Sequence, residues 1–276
     1  LSRELSLARA VQQRLLPTTL PEIPGLRLSA IEKPAQTVGG DYYDAVSLGD
    51  DCVGVVVADV SGKGAGAAFY MAEMKGIFQA ASRLTRSPSE FLCRANEALS
   101  PSLERGTFVS AIYGVIDGQT GTLALARAGH CPALLIHPTS GAAASGDACA
   151  EDVAASDSPP PEARTRYLRP DGLALGLDPG PLFQRTLDET LVHLVPGDVA
   201  VLFTDGLVEA RDASGETYGY DRLAAAAAHL CPTDGACDPH ALRDALLDDV
   251  AQFTGLPETD DDVTLMVVAW GGPPDS

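Results

Sequence analysis

Aspartates stand where several apolar segments of this chain meet a glycine or a turn. Taken singly, each fits a turn or a helix cap, because DG is a common turn dipeptide and aspartate caps helices. Carboxylates that leave several buried strands together need a compensating cation, since an uncompensated buried charge is costly. The acids are Asp41 and Asp44 in GGDYYD, Asp59 in VVVADVSGKG, Asp205 in VLFTDG, and Asp260, Asp261 and Asp262 before VTLMVV.

The chemistry predicted for these acids is divalent-metal binding. Lys63 is the only basic residue close to any of them in sequence, apart from Arg211. Carboxylates, water and a backbone carbonyl form the ligand set of Mg²⁺ or Mn²⁺. No histidine and cysteine pattern in the sequence indicates zinc.

The composition excludes some classes of partner. The chain has 276 residues, of which 45% are hydrophobic, enough for a sizeable core. Its 38 acidic and 19 basic side chains give a net charge of -19, which disfavours nucleic acid and anionic membranes as partners. No apolar run has membrane-spanning length, and no signal peptide is visible. The six cysteines have no CxxC or metal-finger spacing, so we expect buried free thiols in a reducing cytoplasm.

The hydrophobic pattern predicts roughly ten strands and four or five helices. They occur in blocks rather than in strict alternation, which favours an α+β fold with antiparallel sheets. A stretch rich in Ala, Ser, Pro and acids, residues 138–165, is predicted to be a disordered insertion. The predicted helices are 1–17, 64–84, 87–99, 218–230 and 238–253.

The first predicted helix carries a narrow apolar stripe that suits docking on the domain or a short coiled-coil seam. Pro17 ends the helix. Because the chain starts without methionine, we expect it to be part of a longer protein. The stripe consists of Leu1, Leu5, Ala8, Val11 and Leu15.

Motifs along nearly the whole chain resemble the PPM-type metal-dependent protein phosphatases, specifically their SpoIIE/RsbU-like bacterial branch. They are RAVQQRLLP, PAQTVGGDYYD, VADVSGKGAGAA, TFVSAIYGVID, RAGHCPALLI, LALGL, PGDVAVLFTDGLVEARDASGETYGYDRL and DDVTLMV. The resemblance implies a four-layer α-β-β-α sandwich of two antiparallel sheets flanked by helices. It also implies an N-terminal signalling helix at 1–20 and a phosphatase domain at 21–272.

The resemblance further implies a centre of two Mn²⁺ or Mg²⁺ ions. Asp59 matches the aspartate that bridges both ions, and Val60 stands where the family uses a backbone carbonyl. The first ion is assigned to Asp44, with Asp41 as a second candidate. The second ion is assigned to Asp205 and Asp261, while Asp260 and Asp262 are alternatives within the acidic run.

In this chemistry a water bridging the two ions attacks the phosphoryl group in line, without a covalent phosphoenzyme. Gly62 and Lys63 are the expected substrate-binding residues. Two features of eukaryotic members are absent: Ser61 replaces a histidine proposed as general acid, and Gly39 and Gly40 occupy the region of a phosphate-binding arginine. His130 in AGHCP is interpreted as a structural residue.

The implied function is hydrolysis of phosphoserine or phosphothreonine on a STAS-type anti-sigma-factor antagonist in the cytoplasm. An upstream sensor or activator and a homodimer formed through the N-terminal helix are the other implied partners. The alternative is a degenerate phosphatase fold that acts as a binding or sensing module. A diguanylate cyclase, suggested by GGD, is rejected because GGD runs directly into YYDAVSL and the later TDG and DDVT would have no role.

Overall fold

Two antiparallel five-stranded sheets form the centre of the molecule. The computed structural model describes residues 2–62, 64–138, 164–232, 236–255 and 260–273. One sheet has the spatial order β1 (Leu26–Lys33), β10 (Val263–Trp270), β9 (Val199–Phe203), β6 (Ala133–Ile136) and β7 (Thr165–Leu168). The other has the order β2 (Tyr42–Gly49), β3 (Cys52–Val60), β4 (Val109–Asp117), β5 (Thr122–Ala128) and β8 (Glu189–His193).

Helices cover the outer faces of both sheets. Those packed on the β2–β8 sheet share one buried apolar cluster with it, and those on the β1–β7 sheet share another. A third cluster lies between the sheets. This arrangement confirms the expected four-layer α+β sandwich. The helices are α1 (Ser2–Leu15), α2 (Ala65–Ala81), α3 (Pro88–Leu99), α4 (Pro181–Thr186), α5 (Asp205–Val208), α6 (Gly219–Leu230) and α7 (Pro239–Thr254).

Strand β3 shows why its sequence is a continuous apolar run rather than an alternating one. Val55 and Val57 face the core between the sheets, whereas Val56 and Ala58 face the helical layer. Successive side chains of a strand point to opposite faces. Both faces of β3 are therefore buried, and Asp59 is the first residue at which the run meets a polar environment.

Two segments differ from the sequence-based expectation. The sequence predicts a strand at residues 183–194, but Pro181–Thr186 is a helix and only Glu189–His193 is a strand. Pro181 favours this helix because it occupies the first turn, where its missing N–H costs no hydrogen bond. The expected insertion falls almost wholly on residues 139–163, outside the described part of the chain.

The N-terminal helix forms where expected, and its predicted apolar stripe is only partly turned toward the domain. Ala8 is half-buried, whereas Val11 is 52% exposed and the neighbouring Gln12 only 8% exposed. Leu15 packs against the cluster that includes α2. A polar residue at the buried position indicates specific hydrogen bonds rather than general apolar docking.

Four of the cysteines are buried, and none of the five described ones forms a disulfide, as expected. Cys149 lies outside the described residues. Among the helices of the described ranges, none is both long and apolar enough to cross a membrane.

Candidate metal centre

The candidate site lies at one edge of the sandwich, where strands of both sheets end. Asp59 is near the end of β3, and Asp41 directly precedes β2, which pairs with β3. Asp205 follows β9, and Asp262 precedes β10, the antiparallel neighbour of β9. Chain reversals at the same edge thus bring together acids that are far apart in sequence.

Asp41 is the most deeply buried acid of the group, at 2% exposure. Its Oδ2 accepts a hydrogen bond from Thr204 Oγ1 at 2.8 Å. Burial raises the pKa of Asp41 well above its usual range, and the negative charge of Asp59 raises it further. Asp41 therefore faces the carboxylate of Asp59 and the hydroxyl of Thr204 from the neighbouring sheet, rather than solvent.

Asp59 is at the centre of this electrostatic group. Desolvation raises its pKa to about 7, and the nearby carboxylates of Asp205, Asp261 and Asp262 contribute to the rise. Asp41 makes a side-chain hydrogen bond to Asp59. The structure thus brings five predicted candidates into mutual interaction.

Asp205 begins the short helix α5, and its pKa is also raised by burial and then by Glu209. The glycine after it is required by packing. A Cβ on Gly206 would lie 2.1 Å from the carbonyl oxygen of Asp262. The DG sequence therefore lets the turn after β9 lie directly against the chain entering β10.

Asp262 holds the loop that carries Asp41. Its Oδ1 accepts the N–H of Ala35, and its Oδ2 accepts the N–H of Gly40, each at 2.8 Å. A Cβ on Gly39 would lie 2.5 Å from this carboxylate. The glycines of VGGD thus permit a close approach of backbone to Asp262.

Asp44, the sequence-based choice for the first ion, does not join this group. Its Oδ2 accepts hydrogen bonds from Lys75 Nζ at 2.6 Å, Tyr42 Oη at 2.9 Å and Gln79 Nε2 at 3.0 Å. Lys75 and Gln79 belong to α2, so Asp44 joins β2 to the helical layer. Because a strand alternates its side chains, Asp44 shares the face of Tyr42 and is turned away from the edge where Asp41 lies. The structure thus places Asp41, and not Asp44, among the acids at this edge of the sandwich.

Glu32 is an acid near the site that sequence reasoning missed. Burial raises its pKa to about 7, followed by repulsion from Asp262, while Arg9 acts in the opposite direction. The alternation of β1 could have indicated this acid. Leu26, Leu28 and Ala30 face the core between the sheets, and Glu32 is the next residue on the same face of the strand.

The other residues singled out from the sequence lie around this acidic group or outside the described part of the chain. Val60 is buried, with its side chain in the cluster that includes α2. Gly62 has a positive φ of 98°. Ser61, at the position of the missing histidine, accepts the N–H of Phe108 through Oγ at 2.9 Å. Asp260 is exposed. Lys63 lies outside the described residues.

His130 is unsuited to proton donation at neutral pH. It is 5% exposed, and its Nδ1 lies 2.7 Å from Ser110 Oγ. Burial lowers its pKa to about 3, with a further contribution from Arg127, so the ring is neutral. These contacts agree with the structural role expected from the sequence.

The donor chemistry of the acidic group fits hard divalent cations. Within the described ranges, no lysine, arginine or histidine forms an ion pair with Asp41, Asp59, Asp205 or Asp262. Such ions prefer oxygen ligands, and their charge offsets the repulsion that raises the carboxylate pKa values. In the described part of the chain, no three acidic, histidine or cysteine side chains already form a ligand shell. The carboxylates are therefore electrostatically coupled without being arranged as a finished coordination sphere.

Curated relatives include two bacterial proteins that are longer than this chain. The phosphoserine phosphatase RsbU of Bacillus subtilis (strain 168) is 28% identical over 229 residues, covering 83% of this chain and 60% of that protein. Protein IcfG of Synechocystis sp. is 28% identical over 247 residues, covering 80% of this chain and 35% of that protein. The chain thus spans about three fifths of the length of RsbU and about a third of the length of IcfG.

Solved structures with the same fold include the SiaA-PP2C domain of Pseudomonas aeruginosa, at a TM-score of 0.74 and 21% identity, with 98% of this chain and 96% of that chain covered. The RsbU and RsbW domains of Rv1364c from Mycobacterium tuberculosis match with a TM-score of 0.71 and 22% identity, covering 95% and 64% of the two chains. The family model for stage II sporulation protein E (SpoIIE) matches residues 49–150 and 153–271. The chain therefore belongs to the SpoIIE family and has the fold of the PP2C-type phosphatase domains.

Proposed function

We propose that this chain is a metal-dependent serine/threonine protein phosphatase. The observation that carries the proposal is the position of Asp59, whose pKa is raised to about 7 by burial and by three further carboxylates at the edge of the sandwich. Groups with such shifts cluster at functional sites, and this one occurs in a chain of the SpoIIE family.

In this proposal Asp59 contributes to both cation positions. Asp41 takes the place first assigned to Asp44, and the backbone carbonyl of Val60 is a further ligand. Asp205 and Asp261 hold the second position, while Asp262 positions the loop before Asp41. Two Mn²⁺ or Mg²⁺ ions, when bound, would supply an acidified water and neutralise phosphoryl oxygens.

The proposed substrate is a phosphoserine or phosphothreonine on a STAS-type regulatory protein. One curated relative is named a phosphoserine phosphatase, which supports the phosphate-ester class. Gly62 and Lys63 are proposed to contact the substrate. An upstream sensor or activator is a further part of this proposal, since both curated relatives extend beyond this chain. Dimer formation through α1 and a cytoplasmic location complete it.

The test is Mn²⁺-dependent release of phosphate from p-nitrophenyl phosphate and from a phosphorylated STAS protein. We expect turnover with Mn²⁺ and none with chelator. Asp59→Asn should abolish it, whereas Asp188→Asn, which changes an exposed carboxylate, should not. Absence of metal-dependent turnover, in this chain and in one that includes any upstream activator, would favour the alternative of a binding module.

A further inference from the structure

Gln12 of helix α1 makes two hydrogen bonds to the backbone of a single residue in another part of the chain. Its Nε2 donates to the carbonyl oxygen of Gly39 at 2.6 Å, and its Oε1 accepts the N–H of Gly39 at 3.1 Å. Gln12 is 8% exposed, whereas its neighbours Val11 and Gln13 are exposed. One side-chain amide therefore satisfies both backbone groups of one residue, as a neighbouring strand would.

The loop bound by Gln12 is the loop that leads to Asp41. The next residue, Gly40, donates its N–H to Asp262, and its carbonyl accepts the N–H of Val60 at 3.4 Å. Arg9, one turn earlier in α1, donates to the carbonyls of Gln36 and Thr37 at 3.3 and 3.2 Å. Residues 35–41 thus lie between α1 on one side and the acidic group on the other.

This loop cannot anchor itself through its own side chains at the critical point. Gly39 has no side chain, and a Cβ there would lie 2.5 Å from the carboxylate of Asp262. A Cβ on Gly40 would lie 2.8 Å from the carbonyl oxygen of Val60. The close approach that the site requires removes any local anchor, so the contact that fixes the backbone must come from another element.

We propose that Gln12 is a positioning residue of the metal centre, through which helix α1 sets the place of the loop carrying Asp41. The effect of Gln12 on metal binding rests on the proposed function, whereas its effect on the position of the loop does not. Glutamine suits the role because it presents one donor and one acceptor on a neutral side chain. By reciprocity, cation binding at the acidic group stabilises the docked position of α1.

The test compares Gln12→Ala with Gln13→Ala, the same substitution at the exposed neighbouring position. In metal-free protein, we expect Gln12→Ala to speed amide hydrogen exchange at Ala35 and Gly40, with core amides of β4 unchanged. Mn²⁺ affinity measured by calorimetry should fall about fivefold to tenfold, the effect of losing one or two hydrogen bonds. Gln13→Ala should change neither quantity.

Gln12→Met is a second variant, which keeps the length and apolar stem of the side chain but can form neither hydrogen bond. It tests the proposal even if Gln12→Ala fails to fold because of lost packing. Faster exchange at Ala35 and Gly40 in this variant supports the proposal, and wild-type exchange overturns it. If wild-type protein binds no Mn²⁺, the proposed metal centre fails, while the exchange rates still decide whether Gln12 positions the loop. If Mn²⁺ binds with equal affinity to all variants, the link from α1 to the metal centre is wrong.

Discussion

The hydroxyl of Thr204 donates a hydrogen bond to Asp41 over 2.8 Å and accepts the backbone N–H of Thr264 over 2.8 Å. One side chain therefore joins the loop before β2 to the adjacent ends of β9 and β10. This connection crosses from one sheet to the other. It fixes Asp41 relative to Asp205, the residue that follows Thr204.

Thr204→Val should separate this connection from simple packing, because valine has nearly the same shape but no hydroxyl. It leaves a buried carboxylate and a buried N–H each without this partner, and we expect a loss of about 1–3 kcal/mol in the free energy of unfolding. The pKa of Asp41 should rise further, because the Thr204 hydrogen bond lowers it. Urea unfolding at pH 7 without metal measures the first effect. Thr204→Ser retains the hydroxyl and should recover most of the stability; equal losses in both variants would contradict the interpretation.

Asp44→Asn should lower the stability of the protein and leave Mn²⁺ affinity unchanged, whereas Asp41→Asn, three residues earlier, should do the reverse. Asp44→Asn removes the charge that faces Lys75 in a pair whose side chains are 3% and 22% exposed. Loss of one partner of a buried pair costs about 3–5 kcal/mol, and the partial exposure of Lys75 puts the expected loss near the lower end. Mn²⁺ affinity of the folded protein should remain. Asp41→Asn should cost little stability without metal but should weaken Mn²⁺ binding.

Urea unfolding and calorimetric Mn²⁺ titration of the two variants check this pair of expectations. Weak Mn²⁺ binding by Asp44→Asn together with normal binding by Asp41→Asn would restore the assignment made from the sequence alone.

The choice between Asp41 and Asp44 also shows where sequence reasoning ends. The strand and helix pattern predicts an α+β fold with antiparallel sheets, and the acids at strand ends predict a group of carboxylates. The four-layer sandwich is implied by the resemblance to the PPM-type phosphatases. The direction of Asp44 depends on Lys75, 31 positions later, and the anchor of Gly39 depends on Gln12, 27 positions earlier. Strand alternation predicts which residues share a face, but the partner across that face comes from tertiary packing. Such long-range pairs leave no local pattern in the sequence.

Glycine at position 206 should be required, in contrast to the glycine at position 76 in α2. A Cβ at residue 206 would lie 2.1 Å from the backbone oxygen of Asp262, so Gly206→Ala must shift the turn after β9. We expect it to destabilise the protein by about 1–3 kcal/mol and to weaken Mn²⁺ binding. Gly76 is exposed inside a helix, and a Cβ there would meet no atom within 4 Å beyond its own stretch of helix. Gly76→Ala should therefore stabilise by about 0.5–1 kcal/mol. Thermal unfolding measures the stability of both variants. Wild-type stability and Mn²⁺ affinity in Gly206→Ala would refute the close packing at this turn.

The stability of the metal-free protein should fall as pH rises from about 4 to about 7. The pKa of Asp59 is about 7 in the folded state and near 3.8 when the chain is unfolded, so the folded state binds more protons across this window. The upward shifts of Asp41 and Glu32 act in the same direction. The loss attributable to Asp59 is on the order of 2–4 kcal/mol, complete above its folded pKa.

Asp59→Asn should remove that part of the pH dependence, because asparagine carries no charge. In chelator at pH 8 the variant should be more stable than wild type, whereas Asp188→Asn should match wild type. Adding Mn²⁺ at 100 times its dissociation constant should stabilise wild type by about 2.7 kcal/mol through binding to the folded state alone. Asp59→Asn should gain little from the same addition. Urea unfolding from pH 4 to pH 8, with and without Mn²⁺, provides the measurement; a wild-type stability that increases with pH in chelator would show that the carboxylates do not repel one another as described.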